Sequence, residues 1–420
     1  MSKFSQFERK VAYELDRFPF LKKIIKNCYI YLMRILRFKG KKSQLNFPTI
    51  EVHSEAESFF GYYDKLPSNG KGLVIFHSSP FDTSKQANKA PYVNIILKNE
   101  LSNKILWKHK TKAFNWQQGS RLQWINDKKF MFNVYDKSTN KYHAKVVSTT
   151  DYSIVDYSLP VQDSFDESYF LSLNYKRLAT LKPEYGYHCH KPLSYDLLPK
   201  YKNDGIWKID FDSGKSSLIL SLSDVCQFFP KEQFNNSTHL INHIQINPSG
   251  ENFIFLHRYT SKGKQTDRLI SYNFITKQMK LITVSNLVSH FYWQTNNSLV
   301  AYLEDDNKGR CYVHIDLETL DRKFISCLEG YGDGHPGGFG SLMLTDTYPN
   351  RSGHQFLLLL KNFLSNESPK ELAKLYHPLK FSGESRCDLH PRIDVKQKII
   401  YFDSVYTGKR QLHRMDFSND

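Results

Sequence analysis

Cysteine is scarce in this chain. Six occur in 420 residues, Cys28, Cys189, Cys226, Cys311, Cys327 and Cys387, and no two form a C-x-x-C pair. A disulfide framework is therefore not expected in so large a chain, and a reducing compartment is. Long apolar runs are missing too. No uninterrupted stretch is long enough to cross a bilayer, and no cleavable signal peptide is recognisable. Leu and Ala do not dominate, and apolar content is only 40%, which argues against a helical protein. RNP, zinc-finger and helix-turn-helix signatures are absent, so no nucleic-acid partner is expected.

What the chain does have is aromatic residues, 26 Tyr and 30 Phe, which favour half-buried strands. It also has an uneven charge. Of the formal net +16, residues 1 to 42 hold +9, from twelve Lys/Arg against three Asp/Glu. An electrostatic leader on a mildly basic body fits this better than a nucleic-acid-binding domain. Within the leader, Lys22, Lys23, Lys26, Arg34 and Arg37 share one side of a helix, and Leu21, Ile24, Ile25, Leu32, Ile35 and Leu36 lie outside it. Asp16 and Pro19 suit the start of such a helix and Gly40 its end. A narrow cationic stripe beside a wide apolar face suits an anionic membrane surface, bound through residues 18–42. A helix packed on its own domain or on another protein is the alternative.

From about residue 55 the pattern changes to short β-rich runs separated by turns. "HIQINPSGENFIFLHRYT" followed by "TDRLISYNFITKQMKLITV" reads as four strands. Other units are "HFYWQTNNSLVAYLEDD" with "GRCYVHIDLETLDRKFISCL", and "CDLHPRIDVKQKIIYFDS" with "GKRQLHRMDFS". "GIWKIDFDSGKSSLILSL" is the outer pair of a further unit, which carries a large insertion. Four strands in about forty to sixty residues is the signature of a propeller blade. Starts near Phe60, Asn115, Ser168, Asn242, His290, His335 and Asp388 predict an all-β, seven-bladed β-propeller over 46–420, preceded by an amphipathic helical segment over 1–45. The stretch "LNFPTIEVHS" is expected to close the ring on the last blade.

In a propeller, the segments leading into the innermost strands meet at one mouth of the central channel. The polar clusters fall on those segments: "FGYYDK", "NWQQGSRLQW", "NHIQINP", "SHFYW", "DGHPGGFG" and "RCDLHPR". Four imidazoles, His243, His290, His335 and His390, are thus expected to converge, with Asp64, Asp333 and Asp388 as possible neighbours. Imidazole with carboxylate suits a borderline divalent ion. Arg121, Arg258, Arg386 and Arg392 offer forks for carboxylates, and Tyr62, Tyr63, Trp116 and Trp293 offer faces for sugar rings. Each of these residues alone has a plainer reading, such as a hydrogen-bonded histidine, a hairpin turn, or an Asp388–Arg392 ion pair tying the last blade to the first.

The pattern ending in "HPRIDVKQKIIYFDS" resembles the oligogalacturonate lyases. "FGYYDK", "NWQQGSRLQW", "NHIQINPSGENFIFLHR" and "RCDLHPR" together more closely resemble bacterial propeller proteins, some linked to polysaccharide gene clusters, over about residues 55–417. The lyase resemblance implies a divalent metal, Mn²⁺ foremost, held by His335, Asp388 and His390. Asp388 stands where that family has a further His, and Ser385 where it has Gln. It implies His290 as base, with Arg258 and His243 in the catalytic set. Tyr62, Tyr63, Asp64, Lys65, Trp116, Gln117, Arg121, Trp293, Arg386 and Arg392 are the expected saccharide contacts. The implied reaction is β-elimination at a uronic acid by a protein at the inner face of the cytoplasmic membrane. A non-catalytic saccharide-binding or scaffolding protein of envelope polysaccharide synthesis is the alternative. A glycosyltransferase ranks last, for want of a nucleotide-sugar motif.

Overall fold

A computed structural model describes residues 42–194, 196–198 and 201–418, together with Ile25, Cys28, Tyr29 and Leu32 of the leader. Those four are helical; the rest of the expected amphipathic helix lies outside the described residues. Among the described residues no helix is long and apolar enough to cross a membrane.

Seven antiparallel sheets follow one another along the chain. Blade one is Glu57–Phe59, Leu73–Ser79, Val93–Asn99 and Ile105–Thr111; blade two is Gln123–Trp124, Lys129–Asp136, Lys141–Ser148 and Ile154–Tyr157. Blade three, Asp163–Phe165, Tyr169–Leu173, Gly205–Asp210 and Ser216–Ser221, carries the expected insertion between its second and third strands. Blade four is Thr238–Ile246, Asn252–Ser261, Lys264–Asn273 and Met279–Ser285, and blade five runs from Val288–Thr295 to Arg322–Phe324. Blade six is Gly337–Phe339, Leu342–Asp346, His354–Leu360 and Lys370–Tyr376, and blade seven begins with Arg392–Asp394, Ile399–Ser404 and Gln411–Asp416.

The ring closes as the sequence predicts. Thr49–Glu51 pairs with Gln411–Asp416 as the outermost strand of blade seven. Just before it, Gln44–Leu45 adds a fifth strand to blade six, so pairing with the propeller begins at Gln44, inside the segment assigned to the leader. Two blade starts move. Asn115 does not begin a strand: its side chain accepts from Gln117 N and Gln118 N, and it pairs with Gly119 across a tight turn. Gly119 adopts φ +58°, and a Cβ there would collide with the His77 ring. Blade three likewise starts at Asp163, upstream of Ser168.

Alternate residues along the strands face neighbouring blades, so the cores lie between sheets. Val74, Phe76 and Ile95 of blade one pack with Phe130 and Phe132 of blade two and with Tyr401 and Leu412 of blade seven. Each such side chain withdrawn from water contributes about 1.5–3 kcal/mol. Because adjacent strands are antiparallel, two sets of connections emerge on the same face. These are the loops between second and third strands and the crossovers into the next blade. We call this the crossover face.

The seam between blades seven and one is polar. Asp403 accepts from Phe60 N at 2.9 Å and Gly61 N at 3.2 Å, and from Arg392 at 2.9 Å. Arg392 also donates to the carbonyls of Gly61 and Tyr62. Both side chains are almost fully buried. Asp403→Asn is expected to destabilise the fold by about 3–5 kcal/mol in denaturant titrations, because it strands a buried guanidinium. An unchanged midpoint would contradict this role for the seam.

Candidate functional site

Four imidazoles meet on the channel axis. The ring centroids of His290 and His335 are 4.2 Å apart, those of His335 and His390 also 4.2 Å, and those of His243 and His290 6.2 Å. They come from four successive blades, as the repeat predicts. His290 lies near the start of its inner strand; His335 and His390 lie just upstream of theirs. His243 sits where the register of Thr238–Ile246 shifts against its neighbour. His243 and His390 both hold a left-handed backbone, φ +51° and +43°. Such conformations cost on the order of 1–3 kcal/mol and gather at functional sites.

Carboxylates stand behind the rings. Asp346 accepts from His335 Nδ1 at 2.9 Å and from His335 N at 2.7 Å. Its other oxygen accepts from Leu389 N at 3.1 Å and His390 N at 3.2 Å. One carboxylate thereby orients two imidazoles from adjacent blades. Asp333 stands 3.2 Å from His290 Nδ1 and accepts from Ser289 Oγ at 2.6 Å. With a proton on Nδ1, each of these two rings keeps a lone pair on Nε2, a tautomer set by the network. Tyr62 Oη lies 2.6 Å from His243 Nδ1, and His390 bonds the backbone of Gly61. The Nε2 atoms of His243 and His390 are buried without a hydrogen-bond partner.

Ligand atoms of His335, Asp388 and His390 all lie within 4.8 Å of one another, and all three residues are buried. Two imidazoles and a carboxylate, with one orphaned nitrogen, fit a borderline divalent cation. Asp388 is also gripped by Arg386, at 2.7 and 2.8 Å. That pairing holds its carboxyl below the usual range, overcoming the opposing effect of burial. Burial, with nearby Arg258, His290 and other cationic groups, holds His243 well below 6.5. Burial does the same to His390, reinforced by His335 and Arg392. His290 is lowered by burial and His335 against the pull of Asp333. His335 alone is raised: burial opposes, but Asp346, Asp388 and Asp333 outweigh it.

Several expected contacts go elsewhere. Asp64 does not join the cluster; it forms a two-pronged pair with Arg121 at 3.1 and 2.8 Å, and both are buried. Arg121 is therefore spent on the fold, as is Arg392 on the closing seam; Arg392 meets Asp403, not Asp388. Trp116 is buried against Phe59 and donates to Lys85 O, and Gln117 donates to Arg386 O. Lys65 pairs with Asp163, and with Trp293 it lines a cavity of about 280 Å³ bounded by Tyr63, Pro336 and Pro391, without an imidazole in its lining. Tyr62 and Tyr63 do reach the cluster; Tyr63 Oη donates to Phe291 O at 2.9 Å and accepts from Phe291 N. Arg258 stands at its edge, bonded to Asn242, Asp267 and Val288 O.

Sequence reasoning missed Asp346, Tyr185 and Tyr348. A carboxylate closing the apolar run "LMLTD" was the available signal for Asp346. Tyr185, from the blade-three insertion, lies edge-on to His243 at 5.0 Å, and Tyr348 edge-on to His335 at 5.6 Å. A second group, Cys226, His239 and His257, also clusters within 4.8 Å. There Arg268 donates to His257 Nδ1, so His257 Nε2 donates to His239 Nδ1 and His239 Nε2 to Phe234 O. Every ring nitrogen is used, and that group reads as a structural link.

No family model matches the chain, and no curated protein matches it. Solved structures do. An oligogalacturonate lyase from Vibrio parahaemolyticus is 15% identical with a TM-score of 0.56, over 89% of this chain and 98% of that one. An oligogalacturonate lyase in complex with manganese is 11% identical, TM-score 0.40, over 89% and 97%. The β-propeller domain of the trilobed protease from Pyrococcus furiosus is 11% identical, TM-score 0.49, over 87% and 95%. The likeness is one of fold.

In chelator-treated protein, imidazole NMR titration is expected to show His335 gaining its proton above the ordinary 6.5, with His243 and His390 neutral to well below it. Asp346→Asn should bring His335 below 6.5. Four rings titrating together near 6.5 would contradict the arrangement.

Proposed function

We propose that this propeller is a metal-assisted lyase that cleaves an acidic, uronate-containing saccharide by β-elimination. One observation carries the reading: a mutually adjacent His335, Asp388 and His390 stand beside a carboxylate-backed His290. His335, Asp388 and His390 would hold the cation, and Mn²⁺ is the first choice by resemblance. When bound, it supplies Lewis-acid polarisation of the uronate carboxylate, which makes the adjacent C5 proton more acidic.

This chain's own groups would do the rest. Arg386, more than a third exposed, offers N–H groups to the sugar carboxylate. His290 takes the C5 proton on Nε2 while Nδ1 stays on Asp333, which steadies the imidazolium that forms. The C5–H pair becomes the C4–C5 double bond, the C4–O bond breaks, the leaving oxygen takes a proton from water, and the His290 imidazolium returns its proton to solvent. A base that is neutral at working pH suits this step, and the lowering of His290 by burial favours it. Tyr185 and Tyr348 cover the cluster and would exclude water. Residues 18–42 would hold the protein at the inner face of the cytoplasmic membrane.

The alternative is a saccharide-binding or scaffolding protein without catalysis. It is favoured by the grip of Arg386 on both oxygens of Asp388, which competes with a cation.

Incubation with polyuronates should produce the far-ultraviolet absorbance of an unsaturated uronate, and His290→Ala should abolish it with the melting temperature kept. Substrate bound but never cleaved would establish the scaffold reading. In a separate metal titration, Mn²⁺ affinity should fall about 10–100-fold in Asp346→Asn, which removes the support behind His335. Equal affinity in both proteins would remove His335 from the ligand set.

A further inference from the structure

Blades one and two leave between them a groove of about 840 Å³ at the rim. It is built by the outermost strand of blade one, Ile105–Thr111, and by two strands of blade two, Lys141–Ser148 and Ile154–Tyr157. Lys110 and Lys112 lie at the end of the blade-one strand, and Lys141 follows the loop between second and third strands of blade two. All three therefore sit at the crossover face, the face on which the imidazole segments arrive.

Four lysines line the groove: Lys110, Lys112, Lys141 and Lys145. Two carboxylates oppose them. Asp156 is occupied by Lys145 at 2.6 Å and His143 at 3.0 Å. Asp136 accepts from Ser138 and Thr139 within its own turn. Lys110, Lys112 and Lys141 make no ion pair among the described residues. Tyr92, Tyr135 and Tyr157 also line the groove, and Lys110 Nζ lies 4.5 Å over the Tyr92 ring.

Lysines on sheet edges also serve to block pairing with other sheets. That purpose does not account for the groove. The outermost strands of blades three and four, "SSLILS" and "MKLITVS", carry no lysine and one. Here lysines from two blades line one groove together with three tyrosines.

The groove also leads somewhere. At its inner end the carbonyl of Lys112 accepts from Cys189 Sγ, and Asn115 Nδ2 donates to Tyr185 O at 2.9 Å. Cys189 and Tyr185 belong to the blade-three insertion, whose Tyr185 ring covers His243. The segment that carries Lys112 thus continues to Asn115, which holds the insertion that covers His243.

We propose that this groove holds a run of an acidic polysaccharide, with uronate carboxylates on Lys110, Lys112 and Lys141 and sugar rings against the tyrosines. The choice of uronate rests on the lyase reading; the groove's affinity for a polyanionic saccharide does not. A groove lined by lysines and tyrosines matches a chain of charged sugars.

The test uses the full chain with His290→Ala to prevent turnover, and compares long polygalacturonate with digalacturonate by calorimetry. The polymer should bind more tightly than the dimer, and its affinity should weaken with added salt. Adding Lys110→Gln, Lys112→Gln and Lys141→Gln should lower polymer affinity about tenfold and leave dimer affinity and melting temperature unchanged. Polymer affinity unchanged by the three substitutions would overturn the proposal. So would a single-stranded polynucleotide that binds the groove as tightly and displaces the saccharide. If wild-type protein never cleaves the polymer yet binds it through these lysines, the groove stands and the lyase reading falls.

Discussion

Closure of the ring is the constraint on which everything else in this molecule rests. Seven sheets packed face to face around a channel leave the first and last with an apolar face each unless those two meet. The first and last blades must find each other across the whole sequence. Two devices do so: a strand from before blade one that completes blade seven, and the buried Asp403–Arg392 pair that grips the backbone of residues 60–62. That grip also fixes the site. Tyr62, held through its carbonyl, reaches His243, and Gly61 meets His390. A polar closure costs desolvation, but its donors and acceptors are specific, so it sets register as well as proximity.

The site repeats one local solution. For two of the four imidazoles, His290 and His335, a carboxylate faces Nδ1, Asp333 and Asp346 in turn. Asp346 does this for His335 and also binds the backbone of His390, coupling blades six and seven at the point where a cation would sit. Burial keeps three of the four rings short of charge, and the carboxylates concentrate proton affinity on His335. Buried imidazoles, two of them with an unpartnered Nε2 on a left-handed backbone, are what metal binding needs. A core that only had to be stable would be filled more cheaply with Leu or Phe.

Much of this was legible in the sequence. Strand periodicity and the spacing of turns determine blade number, so His243, His290, His335 and His390 could be brought together from their positions alone. The trio His335, Asp388 and His390 was implied by the lyase resemblance, and the structure places the three side by side. Arginines and aromatics were less legible, because type and position do not reveal which partner wins. Arg121 and Arg392 have buried carboxylates and carbonyls within reach, and Trp116 has an apolar pocket; each prefers these to an open mouth. Asp346 was hidden because it lies on a second strand, outside the segments that mark the mouth. Tyr185 was hidden because an insertion has no repeat to place it.

The account turns on imidazole nitrogens gathered close enough to share one cation. Pulsed electron paramagnetic resonance of the Mn²⁺-loaded full chain tests this most directly. Couplings from two imidazole nitrogens are predicted, with one lost in His335→Ala and one in His390→Ala. Bound Mn²⁺ that shows only oxygen ligands, unchanged by either substitution, would contradict it.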